Sequence, residues 1–114
     1  MNRNFNIFED EVMHRLIEEK AELSNILLKQ YNNATVVNRK FTGVGFFTDF
    51  EISDKSLIIR EPLNFEFGSV QAETPHLQHG IGFILFIRNG FIDFLEGYTY
   101  GEPFPTDFSS YHFI

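Results

Sequence analysis

The chain has 114 residues, with 9 Lys and Arg against 16 Asp and Glu, a net charge of −7, no Cys and no Trp. This length predicts a single domain over residues 1–114, and 43% hydrophobic residues are too many for a disordered chain. The missing Cys excludes disulfides, thiolate metal sites and a Cys nucleophile, and no apolar run has the length of a membrane helix.

The charge is distributed unevenly along the chain. Residues 61–114 contain one basic residue, Arg88, against seven acidic residues. Nucleic acids and anionic membranes are bound through clustered Lys and Arg, so we expect neither of them as a partner. A protein with a basic face would instead be attracted. Acidic residues near the start do not suit a secretory signal, and together with the missing Cys they predict a cytoplasmic protein.

The first third of the chain has the apolar spacing of a helix. Buried positions are predicted at steps of four with one polar interruption at Lys20, namely Val12, Leu16, Leu23, Leu27 and Tyr31. Asn6 followed by Glu9 is a plausible capping pair, which predicts a helix start near Ile7. An unbroken helix to Tyr31 would be about 37 Å long, as long as the whole domain is wide. We therefore expect a kink or break between Glu18 and Ala21.

After residue 34 the apolar spacing becomes that of strands. Residues 44–52 and 63–72 each alternate between an apolar and a more polar face, which predicts two half-buried strands. Residues 80–87 are apolar on both faces, which predicts a central strand with cover on each side, from other elements or from the chain's own termini. Asn89 and Gly90 then form a strong signal for a two-residue hairpin turn.

The order of these elements indicates the fold class. A helix followed by consecutive strands, without helices between them, predicts an α+β fold: an N-terminal helix, kinked or broken, and an antiparallel meander of about five strands. Residues 101–114 contain two prolines and show little periodicity. We expect them to form a tail or loop packed over the sheet.

Three sequence blocks resemble a family of small bacterial proteins of uncharacterised function. The blocks are TGVGFFT, GFILFIRNG and LEGYTYGEPFP, and in that family a short helical N-terminus precedes them in the same order. The similar region covers roughly residues 36–105. The resemblance implies one domain and carries no activity, cofactor or catalytic residue.

Two histidines and one acid are the candidates for chemistry. His76 and His79 lie three residues apart in a predicted loop, where local hydrogen bonds are a more common role than metal binding. Asp93 and Glu96 would point to opposite faces of a regular strand, so they do not form a catalytic carboxylate pair. Glu96 is then either a hydrogen-bonded, half-buried acid or a sign of a bulge at Gly97. No motif predicts a nucleotide site, a cofactor, a metal or a serine nucleophile.

One cluster departs from the pattern of a core. Tyr98, Tyr100, Glu102 and Phe104, with Asp107 nearby, follow the last predicted strand. Tyrosines held at the end of a strand are good interface residues, because each offers a rigid ring and one hydroxyl. The alternative is that the tyrosines complete the strand while Phe104 fills the edge of the core.

Two functions remain open from the sequence. The first is a non-catalytic, acidic interaction domain, such as an inhibitor or immunity-type protein, which binds a protein with a basic face through Tyr98, Tyr100, Glu102 and Phe104. The second is a small hydrolase or ligand-binding domain that uses His76, His79 and Glu96. Open sheet edges and the many Phe residues also predict a homodimer.

Overall fold

The computed structural model describes residues 3–114 and begins with two helices. Helix α1 (Arg3–Glu19) and helix α2 (Ser24–Asn32) are separated by a 3-10 turn at Ala21–Leu23. The predicted break is therefore confirmed. The predicted start near Ile7 is wrong by about one turn, because Phe5 and Phe8 belong to the buried stripe and are 2% and 0% exposed.

Seven strands form one antiparallel sheet, which confirms the predicted α+β class. The strands are β1 (Ala34–Phe41), β2 (Gly45–Ile52), β3 (Phe65–Phe67), β4 (Gln71–Glu73), β5 (Ile81–Arg88), β6 (Phe91–Tyr98) and β7 (His112–Phe113). Their order is β1-β2-β6-β5-β4-β7, and β3 pairs with β5 beside β4. The long strands follow the predicted alternation, while the single strand predicted over residues 63–72 is divided into β3 and β4.

The turn between β5 and β6 is the predicted one. Asn89 and Gly90 both have positive φ, at 54° and 84°. Three residues after this turn, β6 contains a β-bulge: Phe86 pairs with Phe94 while Ile87 pairs with Ile92, so Asp93 is the additional residue. The bulge considered at Gly97 is not there, because Gly97 pairs in register with both neighbouring strands.

Both helices pack on one face of the sheet, which we call the inner face. Its core contains the inward residues of the long strands and the apolar stripes of the helices, together with Phe108: Phe8, Leu16, Leu27, Phe46, Phe83, Leu85, Ile92 and Leu95 are among them. We call the opposite face the outer face; on β5 its side chains Ile84 and Phe86 are partly buried, whereas Phe83 and Leu85 of the inner face are fully buried. The expectation of cover on both sides of β5 is therefore met on the inner face and stays a prediction on the outer face.

Gln30 on α2 joins the helices to the sheet. Its side chain is fully buried; Nε2 donates to the carbonyls of Leu57 and Gly90 at 2.8 and 2.9 Å, and Oε1 accepts from the backbone N–H of Ile92 at 2.8 Å. One amide thus binds the segment after β2, the hairpin turn at Gly90 and the start of β6 at Ile92, which fixes the position of α2 over β6.

The last residues of the chain pack under the inner face, as expected for a covering segment. Phe108 is 3% exposed and its ring lies 5.4 Å from Phe5 and 4.6 Å from Phe8. The Tyr111 hydroxyl donates to Glu11 at 2.8 Å before β7 pairs with β4. Among residues 3–114, no helix is long and apolar enough to cross a membrane.

Candidate interaction surface

The outer face carries a continuous row of aromatic side chains across the three long central strands. Phe94 on β6 lies opposite Phe86 on β5, and their rings stack with centroids 4.2 Å apart and planes 15° apart. Phe47 on β2 approaches Phe94 from the other side at 6.0 Å. Phe94 is thus stacked on Phe86 and tilted by 59° against Phe47, and the sheet holds the three rings in place as an apolar surface.

Acidic side chains surround this row. Among the described residues, the strand registers place five carboxylates on the outer face and two cations, Lys40 and Arg88; the acids are Asp49, Glu51, Glu66, Glu73 and Glu96. Arg88 is turned toward the row, with its guanidinium carbon 5.2 Å from the Phe86 centroid. The outer face is therefore apolar at its centre and negative around it.

Glu96 lies within the apolar part of this face. It pairs with Phe47 on one side and Ile84 on the other. Burial raises the pKa of Glu96 above its usual value, and the charge of Glu66 raises that pKa further. No cation in the described residues forms an ion pair with Glu96. The surface thus holds a carboxylate that would gain from a positive partner.

Tyr98 and Tyr100 form the corner of the outer face next to β4. Tyr98 lies across Gly82, where an added Cβ would come within 2.5 Å of the Tyr98 hydroxyl oxygen, so glycine allows the ring to lie flat on the strand. The Tyr100 ring meets Tyr98 at 5.7 Å and 76°, and its hydroxyl accepts from Gln71 at 3.2 Å. Tyr100 is 49% exposed, so it remains accessible.

The other two residues of the predicted binding cluster have different environments. The Glu102 carboxylate accepts from the backbone N–H groups of Gln78 and His79 at 3.0 and 3.1 Å, and these bonds lower its pKa. Glu102 therefore holds the loop before β5. Phe104 points to the inner side, with its ring 5.4 Å from Phe46. The structure thus brings Tyr98 and Tyr100 together and separates Phe104 from them.

The candidate chemical residues do not converge. His76 lies beside Asp107 at 3.7 Å, whereas His79 lines a shallow depression with Gln71 and Tyr100. Glu96 lies in the middle of the outer face, between Phe47 and Ile84. Within residues 3–114, no group of three His, Cys, Asp or Glu side chains is arranged to hold a metal ion.

A polar cleft between α1, α2 and β1 was not predicted. Glu9, 4% exposed, accepts from Arg39 at 2.6 and 3.2 Å and from the Thr48 hydroxyl at 2.6 Å. Next to it the Tyr31 hydroxyl donates to Asp10 at 2.7 Å, and burial together with this bond raises the pKa of Tyr31. Each of these polar groups already has a partner, so the cleft anchors α1 to the sheet.

A signal for this anchor was present in the sequence. Glu9 is four residues from both Phe5 and Met13, so it lies on the buried stripe rather than in a capping pair. An acid on such a stripe requires a buried cation or donors. Its partners lie about thirty and forty residues away on β1 and β2, where local patterns could not identify them.

Comparisons of the chain with protein-family models, with curated proteins and with solved structures found no match. The resemblance described from the sequence blocks therefore stays a prediction.

Proposed function

We propose that this protein is a non-catalytic, acidic interaction domain of the inhibitor or immunity type, which binds the basic face of a protein partner through its outer face. The observation that carries the proposal is the aromatic row Phe47, Phe94 and Phe86, whose side chains are partly exposed and bordered by carboxylates. We place this interaction in the cytoplasm, in keeping with the absence of Cys.

The two components of the surface have different roles in binding. Desolvation of rigid aromatic rings at the centre supplies affinity, and it chiefly slows dissociation. The surrounding carboxylates attract a positive partner from a distance and speed association at low salt. Tyr98 and Tyr100 add rings and hydroxyls at one corner of the same face. A lysine or arginine of the partner placed beside Glu96 would pair with a carboxylate that is unpaired in the described residues.

The alternative, a hydrolase or ligand-binding domain, has less support. It needs His76, His79 and Glu96 around one substrate, and the two histidines line different surface depressions. The cross-strand neighbours of Glu96 are Phe47 and Ile84, so neither histidine lies beside it in the sheet. An interaction domain requires no such convergence.

We also propose that the chain forms a homodimer through the free edge of β1. In the described sheet β1 pairs only with β2, so the other side of its backbone is unpaired. Val36 and Val37 on or beside this edge are 38% and 55% exposed. Antiparallel pairing of two β1 strands would satisfy the backbone groups and cover these side chains. Light scattering should show a dimer for the native chain and a monomer for Val37→Lys; a native monomer at tens of micromolar would contradict the proposal.

The main proposal is tested by comparing charge-reversal variants on opposite sides of the molecule. Glu96→Lys changes the outer face, whereas Glu18→Lys makes the same change at an exposed position on α1. Each variant and the native chain are immobilised and exposed to extract of the native host, and the captured proteins are identified by mass spectrometry. We expect the native chain to capture basic proteins. Glu18→Lys should capture the same proteins, whereas Glu96→Lys should not.

The rates of association and dissociation are then measured with the purified partner. Binding to the native chain should show association that slows as salt rises past about 0.1 M, where charges are screened within about 10 Å. Tyr100→Ala should speed dissociation by about tenfold and leave folding unchanged, because half of the side chain is exposed. Capture of the same proteins by Glu96→Lys, or rates that Tyr100→Ala does not change, would refute the proposal.

A further inference from the structure

A second surface feature lies on the inner side, at the end of the sheet where β1 turns into β2. It is a pocket of about 300 Å³ lined by Phe5, Phe41, Gly43, Phe104, Pro105, Thr106 and Phe108. The aromatic row of the outer face contributes nothing to this lining. The interaction proposed for the outer face therefore does not account for this pocket.

The floor and walls of the pocket are fixed by contacts elsewhere. Phe5 and Phe108 are buried, with their rings at 5.4 Å and 80°. The segment of Phe104 is attached to the turn by a hydrogen bond from its backbone N–H to the Gly43 carbonyl at 2.8 Å. Gly43 has a φ of 92°, and nothing lies within 4 Å of the position where a Cβ would be. The cavity is thus formed before any ligand enters.

The lining determines the chemistry of the occupant. Four phenylalanine rings offer edges and faces to a further ring, and aromatic pairs prefer tilted or edge-on contact. None of the lining residues is charged, so an ionic ligand would lose its hydration without a partner. The Arg39 guanidinium lies 5.8 Å from the centroid of the Phe5 ring, and this positive charge disfavours a cation as ligand. The volume suits a ligand of one or two rings.

The exposure of Phe41 supports the same conclusion. Its ring is 45% exposed although it contacts the buried Phe5 ring at 5.5 Å and 70°. When a ligand covers a large apolar side chain that is half exposed to water at the mouth of a preformed cavity, the burial of its apolar surface favours binding. We propose that this pocket binds a small, uncharged, planar aromatic molecule that packs against Phe41 and Phe104, whose own rings contact each other at 6.2 Å.

The test uses indole as the probe. Because the chain contains no Trp, indole fluorescence can be excited apart from the protein. We expect saturable binding of one indole per chain with a dissociation constant below about 1 mM. Phe41→Ala removes a wall of the pocket, and Thr106→Asp adds a charge to its exposed rim; each should weaken binding by about tenfold. Leu63→Ala shortens an equally exposed side chain outside the pocket and should leave the affinity unchanged.

The contrary outcomes are distinct. Indole binding that does not saturate, or that both pocket variants retain, would overturn the proposal; Thr106→Asp remains informative if Phe41→Ala fails to fold. Displacement of indole by tetramethylammonium would show a cation site instead. Tighter binding of N-acetyltryptophanamide than of indole would indicate that the pocket binds a side chain of a partner protein, and it would overturn the proposal of a free small-molecule ligand.

Discussion

Replacing Gln30 by Met should separate the contribution of its three hydrogen bonds from that of its shape. Met has nearly the same length and remains apolar, so the core stays filled. The backbone N–H of Ile92 would lose its acceptor in a buried position, and the carbonyl of Leu57 would lose a donor. The carbonyl of Gly90 would keep its bond from the backbone N–H of Ile59 at 2.9 Å.

These losses have different magnitudes. A buried N–H without a partner costs about 1–3 kcal/mol, and one lost hydrogen bond to a part-buried carbonyl costs about 0.5–1.5 kcal/mol. The free energy of unfolding should therefore fall by about 2–4 kcal/mol. For a domain of this size that corresponds to a midpoint of thermal unfolding lower by roughly 8–16 °C.

Urea unfolding followed by circular dichroism measures this difference. Gln78→Met is the matched control, because Gln78 is exposed and its side chain takes part in no hydrogen bond in the described residues. We expect the control to stay within about 0.5 kcal/mol of the native chain. If Gln30→Met destabilised the protein by no more than this control, the amide would not join the helices to the sheet.

Three further changes test other parts of the structure. Gly90→Val should destabilise the fold by at least about 1 kcal/mol, because φ is positive at this position and the added Cβ would lie too close to the segment that packs beside the turn. An unchanged urea midpoint would contradict this prediction. Arg39→Met should cost about 3–5 kcal/mol by leaving Glu9 charged and buried, whereas Arg39→Met combined with Glu9→Met should recover most of that loss in a double-mutant cycle. Glu96→Gln should stabilise the protein at pH 7. The folded chain holds the Glu96 proton to a higher pH than the unfolded chain does, so the stability of the native protein falls as pH rises through the raised pKa. The stability advantage of Glu96→Gln should therefore disappear below about pH 4. An advantage that grows on acidification would refute the raised pKa of Glu96.

The elements predicted correctly from the sequence are those determined by neighbouring residues. The stripe from Val12 to Leu27 required only helical spacing, and the turn at Asn89 and Gly90 only the preference of two residues for positive φ. The break at Lys20 followed from comparing the length of a helix with the size of a domain. Each of these arguments spans fewer than thirty residues of chain.

The predictions that were wrong or that stay untested depend on contacts between distant segments or on partners. Glu9 was placed in a capping pair, since the sequence does not show that Arg39 and Thr48 lie beside it. An apolar run on both faces of β5 indicates that both faces are sheltered from water, but it does not show whether this chain or another molecule provides the shelter. For the same reason Phe104 could not be separated from Tyr98 before the path of the last segment was known.

The pairing of β2 with β6 also affects how the chain folds. Hairpins β1–β2 and β5–β6 each join neighbouring segments, so each closes a short loop and can form early. Contact between them pairs Gly45 with Tyr98 and must enclose the whole segment that contains β3, β4 and β5. The entropy lost in closing that long loop makes this docking the expected late step. Until the two hairpins dock, the apolar strands β2 and β6 both have unpaired edges. A second chain whose hairpins have not docked can pair with these edges instead, which competes with folding.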